Sequence, residues 1–301
     1  MKTKISIIGM GRVGSATAYT VAHKRLADEI VVLDILKDLV EGHALDLAHS
    51  MAWDGQGKLS HGDYPDIQGS RIILVCAGTP RKPGMDRMEL ASTNASVIKD
   101  IAASIRKHAP DAIVITLTNP VDVMNYLVWK TTGFPRERVI GQGGVLDSLR
   151  FRWAISKTLG IHASEVEAYV LGEHGSSKVP VFSRILVNGK PKKLSISERM
   201  KVTEDMERSN EAVIKKKGAT EFAPAQALTR MVEAIISDKK EAMPCSVVLK
   251  GEYGLNDVSL GVPVILGRNG MEKIEEWPLE HSEEASLARS AEIIKDMQAK
   301  V

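Results

Sequence analysis

The sequence predicts an α/β protein, a doubly wound parallel sheet followed by a mixed α+β domain, and three observations carry that reading. Short apolar runs alternate with amphipathic stretches through residues 5–140, the pattern of strand–helix–strand units. A glycine cluster, Gly9, Gly11 and Gly14, stands where the first strand pattern gives way to a helical one. Past a second glycine cluster at 141–144 the alternation ends, and hairpin signals, long helices and further strands follow.

Taken in order, Ile5–Ile8 is a short apolar run bounded by glycine and reads as a buried parallel strand. Gly9-Met10-Gly11-Arg12-Val13-Gly14 then forms G-x-G-x-x-G. The first glycine permits a tight turn, the second lets backbone approach a pyrophosphate, and the third lets the next helix lie close to the sheet. That helix, from Arg12 to about Arg25, carries Val13, Ala16, Ala18 and Val21 for packing, and its first free N–H groups attract an anion. A second strand, Ile30–Leu33, ends at Asp34, 20 residues after Gly14, where a dinucleotide fold hydrogen-bonds the adenosine ribose hydroxyls. The same carboxylate repels a 2′-phosphate, which favours NAD over NADP. A methyltransferase with an adenosyl cofactor has a similar strand, loop and acid, so the motif by itself leaves the chemistry open.

Leu39–Trp53 is a helix with apolar residues on more than one face: Leu39, Val40, Ala44, Leu45, Leu47, Ala48, Met51 and Ala52. Covering one sheet needs a single stripe, so a second subunit is expected against the other face, with burial inside the chain's own fold as the alternative. Residues 63–69 are turn-rich, and Ile72–Cys76 is a strand ending in Ala77-Gly78. Asn94–Arg106 is a helix with Val97, Ile101 and Ile105 on one side. Strand Ile113–Leu117 leads into Thr118-Asn119-Pro120, and a helix over Val123–Lys130 and a strand at Val139-Ile140 complete the alternation. The expected division is a dinucleotide-binding Rossmann domain over residues 1–142 and a substrate-binding, catalytic domain over 143–301.

In the second part, Asp147–Leu159 is helical and Val166–Leu171 strand-like, and the chain turns through Gly172-Glu173-His174-Gly175. Asn188-Gly189 signals a hairpin. Ser197 is expected to cap a helix that runs to Lys217 and is stopped by Gly218, and another runs from about Pro224 to Ser237. Strands Ser246–Leu249 and Val258–Leu266, a turn at Asn269-Gly270 and a last helix capped by Ser282, with Leu287, Ala291 and Ile294 inward, close the chain.

Composition narrows the function classes. The formal net charge is +2, with 26% charged residues and no long basic block, which argues against nucleic acid and membrane surfaces as partners. No basic-then-apolar leader is present and no apolar run approaches the ~18 residues of a membrane span, so a cytoplasmic protein is expected. Cys76 and Cys245 lie in apolar runs and read as small core residues; there is no metal-ligand spacing and no need for a disulfide.

Several motifs then occur in a telling order: Gly-Met-Gly-Arg-Val-Gly, Ala77-Gly78 before a Pro/Arg/Gly loop, Thr118-Asn119-Pro120-Val121-Asp122, Leu146-Asp147-Ser148-Leu149-Arg150 and Gly172-Glu173-His174-Gly175. Together they make the chain resemble the lactate and malate dehydrogenase family over essentially its whole length. Within that family it is similar to the lactate-dehydrogenase-like branch that acts on malate. The resemblance implies NAD as cofactor, a small dicarboxylate substrate and a homodimer or homotetramer.

The residues themselves suit the implied chemistry. Oxidising a 2-hydroxy acid removes a proton from the alcohol oxygen while a hydride leaves the carbon, and a histidine with an ordinary pKa of ~6.5 exists in both forms near neutrality. His174 lies on a glycine-bounded loop. Asp147 matches the family's partner acid, which orients the ring and favours the imidazolium. Arg150 falls three residues after Asp147, so the two share a helix face, and Arg150 matches the residue that grips the substrate carboxylate. Taken singly, a solvated loop histidine and an ordinary intrahelical ion pair are the blander readings.

The loop Thr79–Glu89 corresponds to the family's closing loop. Arg87 matches the arginine that polarises the substrate carbonyl, and Arg81 matches the position where lactate dehydrogenases typically carry glutamine and malate dehydrogenases arginine. A guanidinium left without water on closure would need a second substrate carboxylate, so Arg81 favours oxaloacetate over pyruvate. Asn119 is expected to touch cofactor and substrate oxygen, Asn94, Leu117 and Thr118 the cofactor, Thr220 the substrate pocket and Pro224 the nicotinamide. Gly9, Met10, Gly11, Arg12, Val13, Gly14 and Asp34 complete the cofactor set. Ser176 departs from relatives that carry an acid after His-Gly. The alternatives are a lactate or broader 2-hydroxyacid dehydrogenase, and a dinucleotide sensor without turnover.

Overall fold

The computed structural model describes residues 2–53, 57–79 and 87–301, with Arg87 described by its backbone alone. Apolar, β-branched runs form the core strands: β1 (Lys4–Ile8), β2 (Glu29–Leu33), β4 (Ile72–Val75), β5 (Ile113–Thr116) and β6 (Val139–Gly141), with a polar edge strand β3 (Lys58–His61) beyond β2. All pair in parallel, in the order β6-β5-β4-β1-β2-β3. Ile5, for example, lies beside both Ile30 and Ile72. Ile5, Ile7, Ile73, Leu74 and Ile115 are fully buried, each contributing about 1.5–3 kcal/mol by leaving water.

The connecting helices are α1 (Arg12–His23), α2 (Lys37–Met51), α3 (Arg87–His108) and α4 (Val121–Thr132). Because β1 pairs with β2 on one side and β4 on the other, the chain direction across the sheet reverses between β1 and β4. Such a reversal opens a crevice at the carboxyl ends of those two strands.

The second part opens with α5 (Gly143–Leu159), followed by the short strands β7 (Val166–Glu167), β8 (Val170–Leu171), β9 (Val179–Pro180), β10 (Leu186–Val187) and β11 (Lys190–Pro191). Helices α6 (Ile196–Lys217) and α7 (Phe222–Ile236) lead to β12 (Glu241–Lys250), β13 (Asn256–Gly267), β14 (Gly270–Ile274) and α8 (His281–Gln298). The last three strands do not form a sheet of their own. They extend the parallel sheet to nine strands, β12 joining β6 through the single antiparallel pairing Ser246↔Gly141.

Several boundaries differ from the sequence expectation. Ser195, not Ser197, caps α6, because only Ser195 stands three residues before Glu198 and completes a reciprocal capping box. Glu280, not Ser282, caps α8 in the same way with Glu283. Strand β12 begins at Glu241 rather than Ser246, running through Pro244, which lies opposite Pro263. A proline within a strand lacks a ladder donor; Pro244 is tolerated because the β6 side of β12 pairs only at Ser246. Helix α3 begins at Arg87 rather than Asn94, and β3 and β14 carry too many polar residues to show a strand pattern. Cys76 is half-buried and Cys245 buried, both as free thiols. Among the described residues no helix is long and apolar enough to cross a membrane, and no group of three candidate ligands is placed to hold a metal ion.

Candidate active site

The crevice between β1 and β4 is built from backbone. Gly9 has φ +96°, and a Cβ there would lie 2.3 Å from the backbone nitrogen of Ala77 at the end of β4. A Cβ on Gly14 would sit 1.9 Å from the Gly9 carbonyl oxygen, so α1 rests directly on the turn below it. A Cβ on Gly11 would meet no neighbouring atom within 4 Å, which leaves that face of the loop open. The α1 N-terminus has neither a capping side chain nor an acid in its first turn, so its free N–H groups and positive dipole end suit a phosphate.

Asp34, just past β2, accepts the Met10 N–H at 2.7 Å and the Leu36 N–H at 3.0 Å. It therefore braces the glycine loop and still keeps lone pairs for hydroxyl donors. Met10 is buried, Val13 packs on the core, and Arg12 reaches across to the Lys217 carbonyl at 2.9 Å. Lys37, the nearest cation in sequence, is paired with Asp63.

At the neighbouring strand ends Thr118 donates to the Ala77 carbonyl at 2.5 Å. Asn94 is 1% exposed; its amide accepts the Thr79 N–H at 2.8 Å and donates to the Asn119 carbonyl at 2.7 Å. Its side chain thus ties the loop after β4 to the loop after β5. Leu117 is half-buried beneath them, and Asn119 is exposed at the mouth. An open glycine face, uncapped N–H groups and a carboxylate at the end of the second strand fit a dinucleotide.

Helix α5 brings the charged residues together. His174 Nδ1 lies 2.7 Å from Asp147 Oδ2, and Arg150 donates to the other oxygen, Oδ1, at 3.1 Å. An ionised carboxylate only accepts, so the ring proton sits on Nδ1 and the Nε2 lone pair is free. The three side chains are 14%, 4% and 19% exposed, shielded enough for their charges to matter to one another. Burial works against the imidazolium, but the Asp147 carboxylate and its hydrogen bond outweigh it and raise the His174 pKa. Burial likewise pushes Asp147 up, and His174 and Arg150 more than reverse it, so this carboxyl is lowered.

The loop that carries His174 is anchored on three sides. Gly172 exchanges backbone hydrogen bonds with Gly261 of β13, at 2.8 and 3.2 Å, and the Glu173 N–H donates to Ser290 Oγ of α8 at 2.7 Å. The third anchor was not read from the sequence: Asp122 Oδ2 accepts the His174 N–H at 2.8 Å, while Oδ1 accepts Ser246 Oγ at 2.6 Å. Behind it Ser246, Ser259 and Asn125 continue a buried polar network. Burial pushes the Asp122 carboxyl up to about 6. Asp122 ends the Thr-Asn-Pro-Val-Asp motif, but nothing in its spacing announces a partner 52 residues away. Gly143 was missed for a similar reason: a Cβ there would lie 2.5 Å from His174 Cβ, so only glycine lets α5 approach the ring.

The remaining expected residues are less closely gathered. Thr220 is half-buried in the link between α6 and α7, and Pro224, in the first turn of α7, accepts from Gln142 Nε2 at 3.4 Å. Arg87 opens α3, while Arg81 and most of the loop expected to close lie outside the described residues.

Comparison with known proteins bears on this arrangement directly. Residues 3–141 match the lactate/malate dehydrogenase NAD-binding domain model, and residues 144–301 the lactate/malate dehydrogenase alpha/beta C-terminal domain model. The chain is 42% identical to a malate dehydrogenase of Haloarcula marismortui, over 99% of both chains. It is 40% identical to L-lactate dehydrogenase 1 of Clostridium acetobutylicum, over 98% of this chain and 97% of that one. The crystal structure of Cryptosporidium parvum malate dehydrogenase superposes with a TM-score of 0.95 at 34% identity, over 99% of this chain and 98% of that one. With an NAD-binding crevice in its first half and a histidine–aspartate–arginine cluster in its second, the chain belongs to the lactate/malate dehydrogenase family of NAD-dependent oxidoreductases.

Proposed function

We propose that the chain interconverts (S)-malate and oxaloacetate with NAD(H), and that His174 carries the proton. The observation behind this is the 2.7 Å pairing of His174 Nδ1 with Asp147, which leaves Nε2 as the atom available to substrate. In the reducing direction the Nε2–H of the imidazolium protonates the substrate's keto oxygen; in the oxidising direction neutral Nε2 takes the hydroxyl proton. Asp147 orients the ring and keeps the imidazolium accessible near neutrality. When bound, the nicotinamide supplies or accepts the hydride.

Arg150 spends one N–H on Asp147 and holds the substrate's C1 carboxylate with those that remain, so substrate and histidine are positioned from a single helix. Arg87 polarises the keto oxygen. Asn119, exposed at the end of the β5 loop, faces cofactor and substrate oxygen, and Thr220 borders the pocket. Gly9, Met10, Gly11, Arg12, Val13, Gly14 and Asp34 hold the pyrophosphate and ribose, with Leu117 and Thr118 lining the crevice and Asn94 setting its loops. The functional division falls at 142/143, the first part holding the dinucleotide and the second supplying the proton carrier.

Choice of substrate rests on Arg81. Relatives named for malate and for lactate match at similar identity, so overall similarity does not separate the two. An arginine on a loop closing over the site needs a second carboxylate, which oxaloacetate has and pyruvate lacks. With NADH, kcat/KM for oxaloacetate is expected to exceed that for pyruvate by up to about 10⁴-fold, and Arg81→Gln to narrow or invert the ratio. A wild-type preference for pyruvate would make the chain a lactate dehydrogenase and leave the His174 role intact.

A further inference from the structure

The edge of the sheet opposite the glycine loop holds a groove of about 710 Å³ lined by six basic residues, Lys2, Arg71, Lys107, His108, Arg138 and Arg268. Their placement follows from the topology. Lys2 leads into β1, Arg71 immediately precedes β4, Arg138 immediately precedes β6, and Arg268 lies in the β13–β14 turn. A parallel sheet puts the beginnings of β1, β4 and β6 on one side, remote from the strand ends that form the dinucleotide crevice, and the antiparallel β13–β14 turn reaches the same side, where the Arg268 carbonyl meets Arg71.

In a chain whose net charge is only +2, this concentration calls for an explanation. The dipole of α3 accounts for Lys107 and His108, which occupy its last turn. It does not account for the three arginines, which come from strand ends and a turn. Asp111 is the one carboxylate in the groove, and none of the six basic residues forms a salt bridge among the described residues. Two guanidinium groups are nevertheless held in place by neutral carbonyls. Arg71 donates to the Arg268 carbonyl at 2.5 Å; Arg138 donates to the Pro110 carbonyl at 2.8 Å and stacks over Phe134 at 4.7 Å. These contacts fix the forks and leave their charge uncompensated, with further N–H groups unused.

We propose that this groove is a binding site for a compact polyanion of the polyphosphate class. Fixed, uncompensated guanidinium groups match phosphate oxygens in pairs at little ordering cost, and the volume lies in the range of small-molecule sites. Among the described residues no Phe, Tyr or Trp lines the groove, and His108 is its one aromatic ring, so it offers no run of stacking platforms for the bases of a nucleic acid. Because Arg268 belongs to the second half of the chain and Arg71 and Arg138 to the first, one anion would bridge both.

The test is calorimetric titration of the NADH-saturated protein with sodium tripolyphosphate at constant ionic strength, with ATP and poly(dT) as parallel titrants. NADH saturation keeps the dinucleotide crevice from contributing. Saturable binding of tripolyphosphate is expected, weakened at least about tenfold in a Lys107→Glu/Arg268→Glu variant, whose exposed side chains hold no other group among the described residues. Circular dichroism and NADH turnover check that the variant is intact; Arg268→Gln alone replaces it should the double change fail to fold. ATP binding as tightly as tripolyphosphate would support the site and identify a nucleotide tail as a sufficient source, whereas tripolyphosphate alone would support an inorganic one. Absence of saturable binding, equal affinity in the variant, or tighter binding of poly(dT) would overturn the proposal.

Discussion

Asp147 has one oxygen on His174 and the other on Arg150, so its charge bears on both the ring's protonation and the guanidinium's direction. Since the histidine pKa is raised in the fold, the pair's stabilisation is fully present below the free-imidazole value of about 6.5 and is lost as pH climbs through the raised value. Asp147→Asn removes the attraction and leaves burial, so the basic limb of kcat/KM for oxaloacetate reduction should move down by at least about one pH unit. His174→Ala should bind NADH normally while kcat falls by about 10²–10⁴-fold; near-full turnover would mean that another group carries the proton. Asp122→Asn reads differently. Its carboxyl is raised to about 6, so the charged form strains the fold, and the stability it contributes below its unfolded pKa is lost as pH rises through 6. Thermal melts at pH 5 and pH 8 should therefore show a smaller loss on going alkaline in this variant than in the wild type. His174, Asp147 and Arg150 were legible because each sits in a local motif. Asp122 and Gly143 were not, because their roles depend on contacts that sequence spacing does not encode.

Elements were legible wherever apolar periodicity and punctuation agreed. Every buried parallel strand and every long helix was anticipated, since burial on both faces leaves an unbroken apolar run. The differences lie at edge strands and element starts: β3 and β14 are short, polar and half-solvated, β12 and α3 begin at Glu241 and Arg87 rather than Ser246 and Asn94, and Ser197 and Ser282 stand inside the first turns of helices that Ser195 and Glu280 cap. The capping box at Ser195 gives a direct check. Ser195→Ala should cost about 1 kcal/mol in urea unfolding, and Ser197→Ala no more than a few tenths. At the other end of the chain the contact between α1 and its turn is less forgiving. Gly14→Ala places a methyl 1.9 Å from the Gly9 carbonyl, so α1 must lift. NADH affinity should fall by at least about tenfold, alongside a lower Tm, as a fluorescence titration and a melting curve would show.

At the scale of the whole molecule, α2 buries Val40, Ala44, Leu47 and Met51 against its own chain and leaves Leu39 and Leu45 exposed, with Leu36, Trp53 and Phe222 exposed nearby. That two-faced helix is the feature behind the expectation of a homodimer or homotetramer. Sedimentation should show an assembly larger than 32.8 kDa, dissociated or weakened by Leu45→Glu. Across the two halves the sheet itself is continuous through a single rung, Ser246 with Gly141, although helices and side-chain hydrogen bonds also join them. During synthesis that geometry imposes an order. Strands β1 to β6 are complete once Gly141 has been translated, but the outer rim of β6 has no neighbour until β12 emerges, and an uncovered strand is a template for another nascent copy. Until the second half of the chain arrives, that rim stays open to mispairing.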